Sequence, residues 1–107
     1  MRILFDHGTP VPLRKIMSEH HVAKAFQMGW SRLTNGELLY AAEAEGCDVL
    51  ITTDQNLRYQ QNLSHRRIAI IVLRSTSWPR LRNITAKIIE AVARVKPGGF
   101  DEVPIAD

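Results

Sequence analysis

Four short apolar runs, separated by helical patterns and turn signals, predict a small three-layer α/β fold with a mainly parallel sheet of four or five strands. Ile3-Leu4-Phe5 stops at Asp6, and Asp48-Val49-Leu50-Ile51-Thr52 stops at Thr53-Asp54. Ile68 to Leu73 is an unbroken β-branched and aliphatic stretch, the pattern of a strand covered on both faces. Strands alternating with helices imply right-handed crossovers, hence parallel pairing.

The first strand ends in the turn-like His7-Gly8-Thr9-Pro10. Val11 to Met17, with Pro10 or Pro12 to open it, suits a short helix. Val22 to Phe26 reads as a weaker second strand, followed by a loop from Gly29 to Ser31 that carries Trp30. Thr34-Asn35-Gly36-Glu37 has the form of a capping box, so an alanine-rich helix follows over Leu38 to Glu45, closed by Gly46. Leu57 to Leu63 is polar and amide-rich, enough for one or two helical turns. After the Ile68–Leu73 strand, Pro79 opens a last helix with Leu81, Ile84, Ile88, Ala91, Val92 and Val95 at helical spacing. Pro97-Gly98-Gly99 ends it, and the tail from about residue 97 is either flexible or an edge strand.

The chain of 107 residues fits a single domain over 1–107, without repeat, linker or low-complexity segment. Hydrophobic residues make up 45% and charged residues 23%, ordinary values for a globular protein. No apolar run approaches the roughly 20 residues needed to cross a bilayer, which excludes a membrane-spanning helix. The opening MRILFDHG meets an acid too early for a signal peptide. A single cysteine, Cys47, permits no internal disulfide and points to a reducing compartment, so a cytoplasmic protein is expected.

Net charge is +3, unevenly spread. Nine arginines and lysines lie from Arg58 to Lys96 against the single acid Glu90, whereas most carboxylates fall between Asp6 and Asp54. Such segregation suits a polyanion held beside an acidic metal site; scattered solvated arginines are the alternative.

In an open parallel sheet, ligands bind beyond the strands' carboxyl ends where strand order reverses. With order 2-1-3-4, the first and third strands flank that point, roughly 5 Å apart, so Asp6 and Asp54 come within reach of one Mg²⁺ or Mn²⁺ ion. Each also has a purely structural reading, Asp6 as an Asx-turn residue and Asp54 as a helix cap. Glu37 is explained as a capping-box acid, or as a third acid carried to the sheet edge by its helix. His20-His21 lacks zinc-pair spacing and reads as surface; His7 follows Asp6 in a loop and stands within reach of a phosphate; Cys47 reads as a small buried apolar residue. Trp30 and Trp78 fit core edges, with base stacking as the alternative. As the basic residues expected nearest Asp54, Arg58, Arg66 and Arg67 are the phosphate-contact candidates, and Tyr59, Gln60, Gln61 and Asn62 are candidates to line the cleft beyond it.

Three segments, F-D-H-G-T-P, N-G-E-L-L and V-L-I-T-T-D-Q-N-L, together resemble small bacterial PIN-like proteins, relatives of PIN-domain nucleases and VapC-type toxins. The resemblance covers most of the chain up to Leu73. It implies a PIN-like (Rossmann-like) fold and a Mg²⁺- or Mn²⁺-dependent ribonuclease, with RNA and a small antitoxin-like protein as partners. It also leaves room for a homodimer. Asp6, Glu37 and Asp54 match the family's acids, with Asp6, Asp54 and Asn56 as the metal ligands. Relatives often carry D-E-N-x-P at the first turn, Asp at the position of Asn35 and T-x-D-x-D-F where this chain has Thr53-Asp54-Gln55-Asn56-Leu57. Neutral amides in place of acids leave a second reading open: a weakened or inactive PIN-like module that binds RNA or a partner protein. A third, a flavodoxin-like phosphate-binding domain, finds no G-x-G-x-x-G or P-loop sequence to support it.

Overall fold

The computed structural model describes residues 1–57 and 66–105. Its five strands are β1 (Arg2–Phe5), β2 (His21–Lys24), β3 (Val49–Thr52), β4 (Ala69–Leu73) and β5 (Phe100–Val103). They pair in the order β2-β1-β3-β4-β5, every pair parallel. The expected order 2-1-3-4 is therefore present, and the tail adds the fifth strand.

Side-chain alternation sorts the strand residues onto two faces. Ile3, Phe5, Val49, Ile51, Ala69, Ile71 and Leu73 share one core with Leu13 and Met17 of a 3₁₀ helix (Val11–Met17). Leu81 from α2 (Trp78–Leu81) and Ile88, Ala91 and Val92 from α3 (Thr85–Arg94) complete that side. Leu4, Leu50, Ile70 and Val72 face the other way, onto Leu38, Leu39 and Ala42 of α1 (Asn35–Ala44). Two cores on one sheet make the three layers. They also explain why β3 and β4 are apolar at nearly every position rather than at every second one.

Thr34 caps α1: its Oγ1 accepts from the Glu37 N–H at 3.3 Å, while Glu37 Oε1 accepts from the Thr34 N–H at 2.9 Å. The helix ends in a Schellman arrangement, with Gly46 N–H on the Glu43 carbonyl (3.0 Å) and Cys47 N–H on the Ala42 carbonyl (2.9 Å). Both ends were legible in the sequence, and the first turn of α1 stands at the carboxyl ends of the strands, where Asn35 meets Asp54.

Two elements differ from expectation. β2 starts at His21 and stops at Lys24, because the chain then turns: Met28 N–H reaches the Lys24 carbonyl and Gly29 N–H the Phe26 carbonyl. Phe26 is left 76% exposed instead of in the sheet. The last helix is not continuous. A 3₁₀ turn over Arg82–Ile84 separates α2 from α3, and Ile84 adopts φ −124° and ψ 24°. The Asn83 side-chain amide takes the Pro79 carbonyl at 3.2 Å, competing with the backbone for the acceptor four residues back. The tail takes the second of its two expected forms, an edge strand. Gly98 carries the chain from α3 into β5 at φ +74°, with its N–H on the Arg67 carbonyl; a Cβ there would lie 2.8 Å from the Arg66 carbonyl oxygen. Only glycine fits that approach. Beyond Leu57, the expected polar helical turns fall outside the described residues.

Ile71 is fully buried in the centre of β4. Ile71→Ala is expected to cost about 2–5 kcal/mol in urea denaturation, whereas Tyr40→Ala, on the exposed face of α1, should stay within about 0.5 kcal/mol.

Candidate functional site

The register of β1 and β3 ends at Phe5 opposite Ile51, so the next positions, Asp6 and Thr52, stand side by side. Both continue the alternation of Leu4 and Leu50 and therefore turn toward the α1 layer. Thr52 is fully buried, and its hydroxyl donates to Asp6 Oδ2 at 2.7 Å while accepting the Asp54 N–H at 3.1 Å. One side chain thus clips the two acidic residues together across neighbouring strands.

The Asp6 turn is held by further bonds. Its own N–H donates to the Ile51 carbonyl at 2.9 Å, and its Oδ1 accepts the His7 N–H at 2.7 Å. Thr9 N–H returns to the Asp6 carbonyl at 3.1 Å, and buried Thr9 Oγ1 donates to the Ile51 carbonyl at 3.0 Å. Gly8, at φ +90°, lets the turn close, and a Cβ there would meet Thr53 Oγ1 at 3.0 Å. The expected Asx-turn is not the bond that forms: Asp6 Oδ1 takes the next N–H, that of His7, rather than the one two residues on.

Asp54 is held from both sides. Its Oδ1 accepts the Asn56 N–H at 2.9 Å, and its carbonyl accepts the Leu57 N–H at 3.3 Å, so it does cap the turn that follows. Its Oδ2 accepts Asn35 Nδ2 at 3.0 Å from the first turn of α1. Asn35 occupies the place where Glu37 was considered. Glu37 itself is exposed and engaged with Thr34, whose N–H holds its carboxyl below the usual carboxylate value. Its capping role is what the structure displays, and α1 delivers an amide to the acidic pair.

Every oxygen of the two carboxylates already accepts one protein hydrogen bond, leaving one lone pair each. That donor set fits Mg²⁺ or Mn²⁺, which settles for one or two carboxylates and keeps several waters. Among the described residues no three of His, Cys, Asp and Glu gather closely enough to hold one ion, so a third ligand of that kind does not join Asp6 and Asp54. Asn56 is exposed and contributes its N–H to Asp54.

The basic candidates lie elsewhere. Arg66 and Arg67 lead into β4, and in a parallel sheet that puts them at the strand-start edge, opposite the acids. The expectation that they sit nearest Asp54 is therefore corrected: they follow it in sequence, but the chain has travelled back to the far end of the sheet before β4 begins. Arg66 Nη1 binds Glu43 Oε1 at 2.9 Å and Arg67 N–H binds Glu43 Oε2 at 2.9 Å. Burial pushes the Glu43 carboxyl up, but these bonds outweigh it and leave the group below its ordinary value. Arg67 also lines a cleft of about 380 Å³ at that edge with Met1, Asp48 and Lys96. Arg58, Tyr59, Gln60, Gln61 and Asn62 lie outside the described residues.

Trp30 packs against the α1-side core and Trp78 against the other, as core-edge residues. Cys47 is half-buried, and burial pushes its thiol up, which suits an inert packing role. His20 lies 3.3 Å through Nδ1 from the Met1 amino group, and His21 is exposed on β2.

Thr9 and Thr52 are the functional-edge residues that sequence reasoning passed over. They are the buried polar side chains among the described residues. For Thr52 the available signal was a threonine closing an otherwise apolar strand two residues before an acid. No family model, curated protein or solved structure matches this chain. No described helix is long and apolar enough to cross a membrane.

Thr52→Val keeps the shape but leaves a buried N–H and a carboxylate each short of a partner. It is expected to lower stability by about 1–3 kcal/mol in urea denaturation, with Thr52→Ser recovering most of the loss. Glu37 should show a pH signature. A depressed carboxyl pKa stabilises the fold above the group's ordinary 4.5, and that contribution disappears as pH falls through the depressed value. The difference in denaturation midpoint between wild type and Glu37→Ala should therefore be present at about pH 7 and shrink by about pH 2.5.

Proposed function

We propose that this chain is a PIN-like, metal-dependent endoribonuclease acting at the strand-end edge. The observation that carries the reading is the pair Asp6 and Asp54, placed at the β1/β3 switch point and clipped together by the Thr52 hydroxyl. Asp6 and Asp54 would hold Mg²⁺ or Mn²⁺ through their remaining lone pairs, while Thr52, Asn35 and the His7 and Asn56 N–H groups fix the carboxylates in orientation. Bound there, the metal supplies an activated water and offsets charge on the phosphate. Glu37 acts at one remove, by fixing the first turn of α1 from which Asn35 reaches Asp54. The motif resemblance extends the proposal to the toxin half of a toxin–antitoxin pair, with a small antitoxin-like protein as partner and a cytoplasmic setting.

The Asn35 contact favours one second reading. An amide donating to Asp54 stabilises its carboxylate without a metal, which suits a weakened or inactive module that binds RNA or a partner protein.

Incubation of the purified chain with diverse RNAs separates the two. The nuclease reading expects cleavage with Mn²⁺ or Mg²⁺, its loss in EDTA, and a loss of about 10²-fold or more in Asp6→Asn with an unchanged melting temperature. Absence of cleavage with either metal sinks it. Under the second reading wild type stays inactive, and Asn35→Asp raises Mn²⁺ affinity on the order of tenfold by calorimetry.

A further inference from the structure

We propose that the cleft formed by Arg74, Arg80, Gln55, Pro104 and Ile105 is the phosphate-binding seat for single-stranded RNA reaching the Asp6–Asp54 edge. The proposal deepens the ribonuclease reading by naming where the substrate backbone is held, and it rests on that reading for its choice of RNA.

Position comes first. Arg74 directly follows β4, and its N–H donates to the Val103 carbonyl at the end of β5. The cleft therefore opens at the carboxyl ends of β4 and β5, the same edge that carries Asp6 and Asp54 beyond β1 and β3. Gln55, next to Asp54, ties the two together: its Nε2 donates to the Arg74 carbonyl at 3.5 Å. The Arg74-Ser75-Thr76-Ser77 segment closes the gap on the other side, since Thr76 Cγ2 lies 4.0 Å from the Cβ position of Gly8 in the Asp6 turn. Acids, hydroxyls and arginines thus form one continuous edge.

Charge comes second. The cleft has a volume of about 380 Å³ and two guanidinium groups in its lining, with no carboxylate among the described lining residues. The cleft at the strand starts has the same volume but includes Glu43 and Asp48, and the one between α3 and β5 includes Glu90, Asp101 and Glu102. Arg66 is committed to Glu43, and Arg94 to Glu90 and Asp101. Arg74 is exposed, and its guanidinium has no ion-pair or hydrogen-bond partner among the described residues. Planar guanidinium groups take phosphate oxygens in pairs, which a lysine cannot do. An arginine pair one strand away from a carboxylate pair lets a nucleic-acid backbone be held on one side while a neighbouring phosphate meets the acids.

The test is fluorescence polarisation of a labelled single-stranded RNA of mixed sequence, with the full chain in EDTA across a salt series. Arg74→Gln and Arg80→Gln should each weaken binding several-fold, and each lost contact should reduce the log–log salt slope by about 0.7. Arg74→Lys should retain the slope while recovering part of the affinity. Arg67→Gln, at the opposite edge, should leave both unchanged. Unaltered affinity and slope in the Arg74→Gln, Arg80→Gln double variant would overturn the proposal, as would equal weakening by Arg67→Gln. Tighter binding to duplex DNA than to the single strand, with the same arginine dependence, would overturn the choice of RNA. Because binding is read without metal, a chain that binds through these arginines yet never cleaves loses the nuclease reading and keeps this one. A chain that cleaves with an unchanged KM in the double variant does the reverse.

Discussion

A single buried hydroxyl organises the functional edge. Thr52 stands at the end of β3 with no exposure to solvent, donates to Asp6 and accepts from the Asp54 peptide. A buried hydroxyl costs free energy unless its bonds are made, and here both are made to the two residues on which the site depends. The same bonds limit where Asp6 and Asp54 can go. Their carboxylates are further held by the His7 and Asn56 N–H groups and by Asn35, so the pair is preorganised before any ligand arrives.

That arrangement follows from a sheet covered on both faces. With α1 on one side and the 3₁₀ helix, α2 and α3 on the other, the strand interiors have no room for unpaired polar groups. Polar chemistry is driven to the strand ends. Because every strand is parallel, all carboxyl ends collect at one edge, and residues distant in sequence meet there: Asp6, Asn35, Asp54 and Arg74 belong to four different connections. The opposite edge collects the strand starts, with Arg67 and the Glu43–Arg66 pair. Charge that looks like one basic half in the sequence is thereby divided between two ends of the molecule and partly neutralised by internal partners.

The capping box illustrates how local chemistry and site geometry connect. Thr34 and Glu37 satisfy each other's backbone N–H groups and fix where α1 begins, and Asn35 lies in the first turn so defined. A Glu in that position looks like a third acid on sequence alone. Its hydrogen bonds turn it back to Thr34, and the neighbouring amide reaches Asp54 instead.

Local patterning determined much of this protein. The apolar runs, the Thr34–Glu37 cap, the Gly46 stop and the parallel pairing were legible because each depends on residues adjacent in the chain or on general topological rules. The pairing of Asp6 with Asp54 was legible for the same reason, since both follow strands that a parallel order makes neighbours. Other features required the folded chain. The break at Arg82–Ile84 depends on an Asn83 side chain competing for a backbone carbonyl, and the fifth strand on Gly98 fitting against Arg66. Which arginines share an edge with the acids depends on the direction in which each connection returns. Sequence distance placed Arg66 and Arg67 beside Asp54; parallel pairing carried them to the far end and brought Arg74 to the near one.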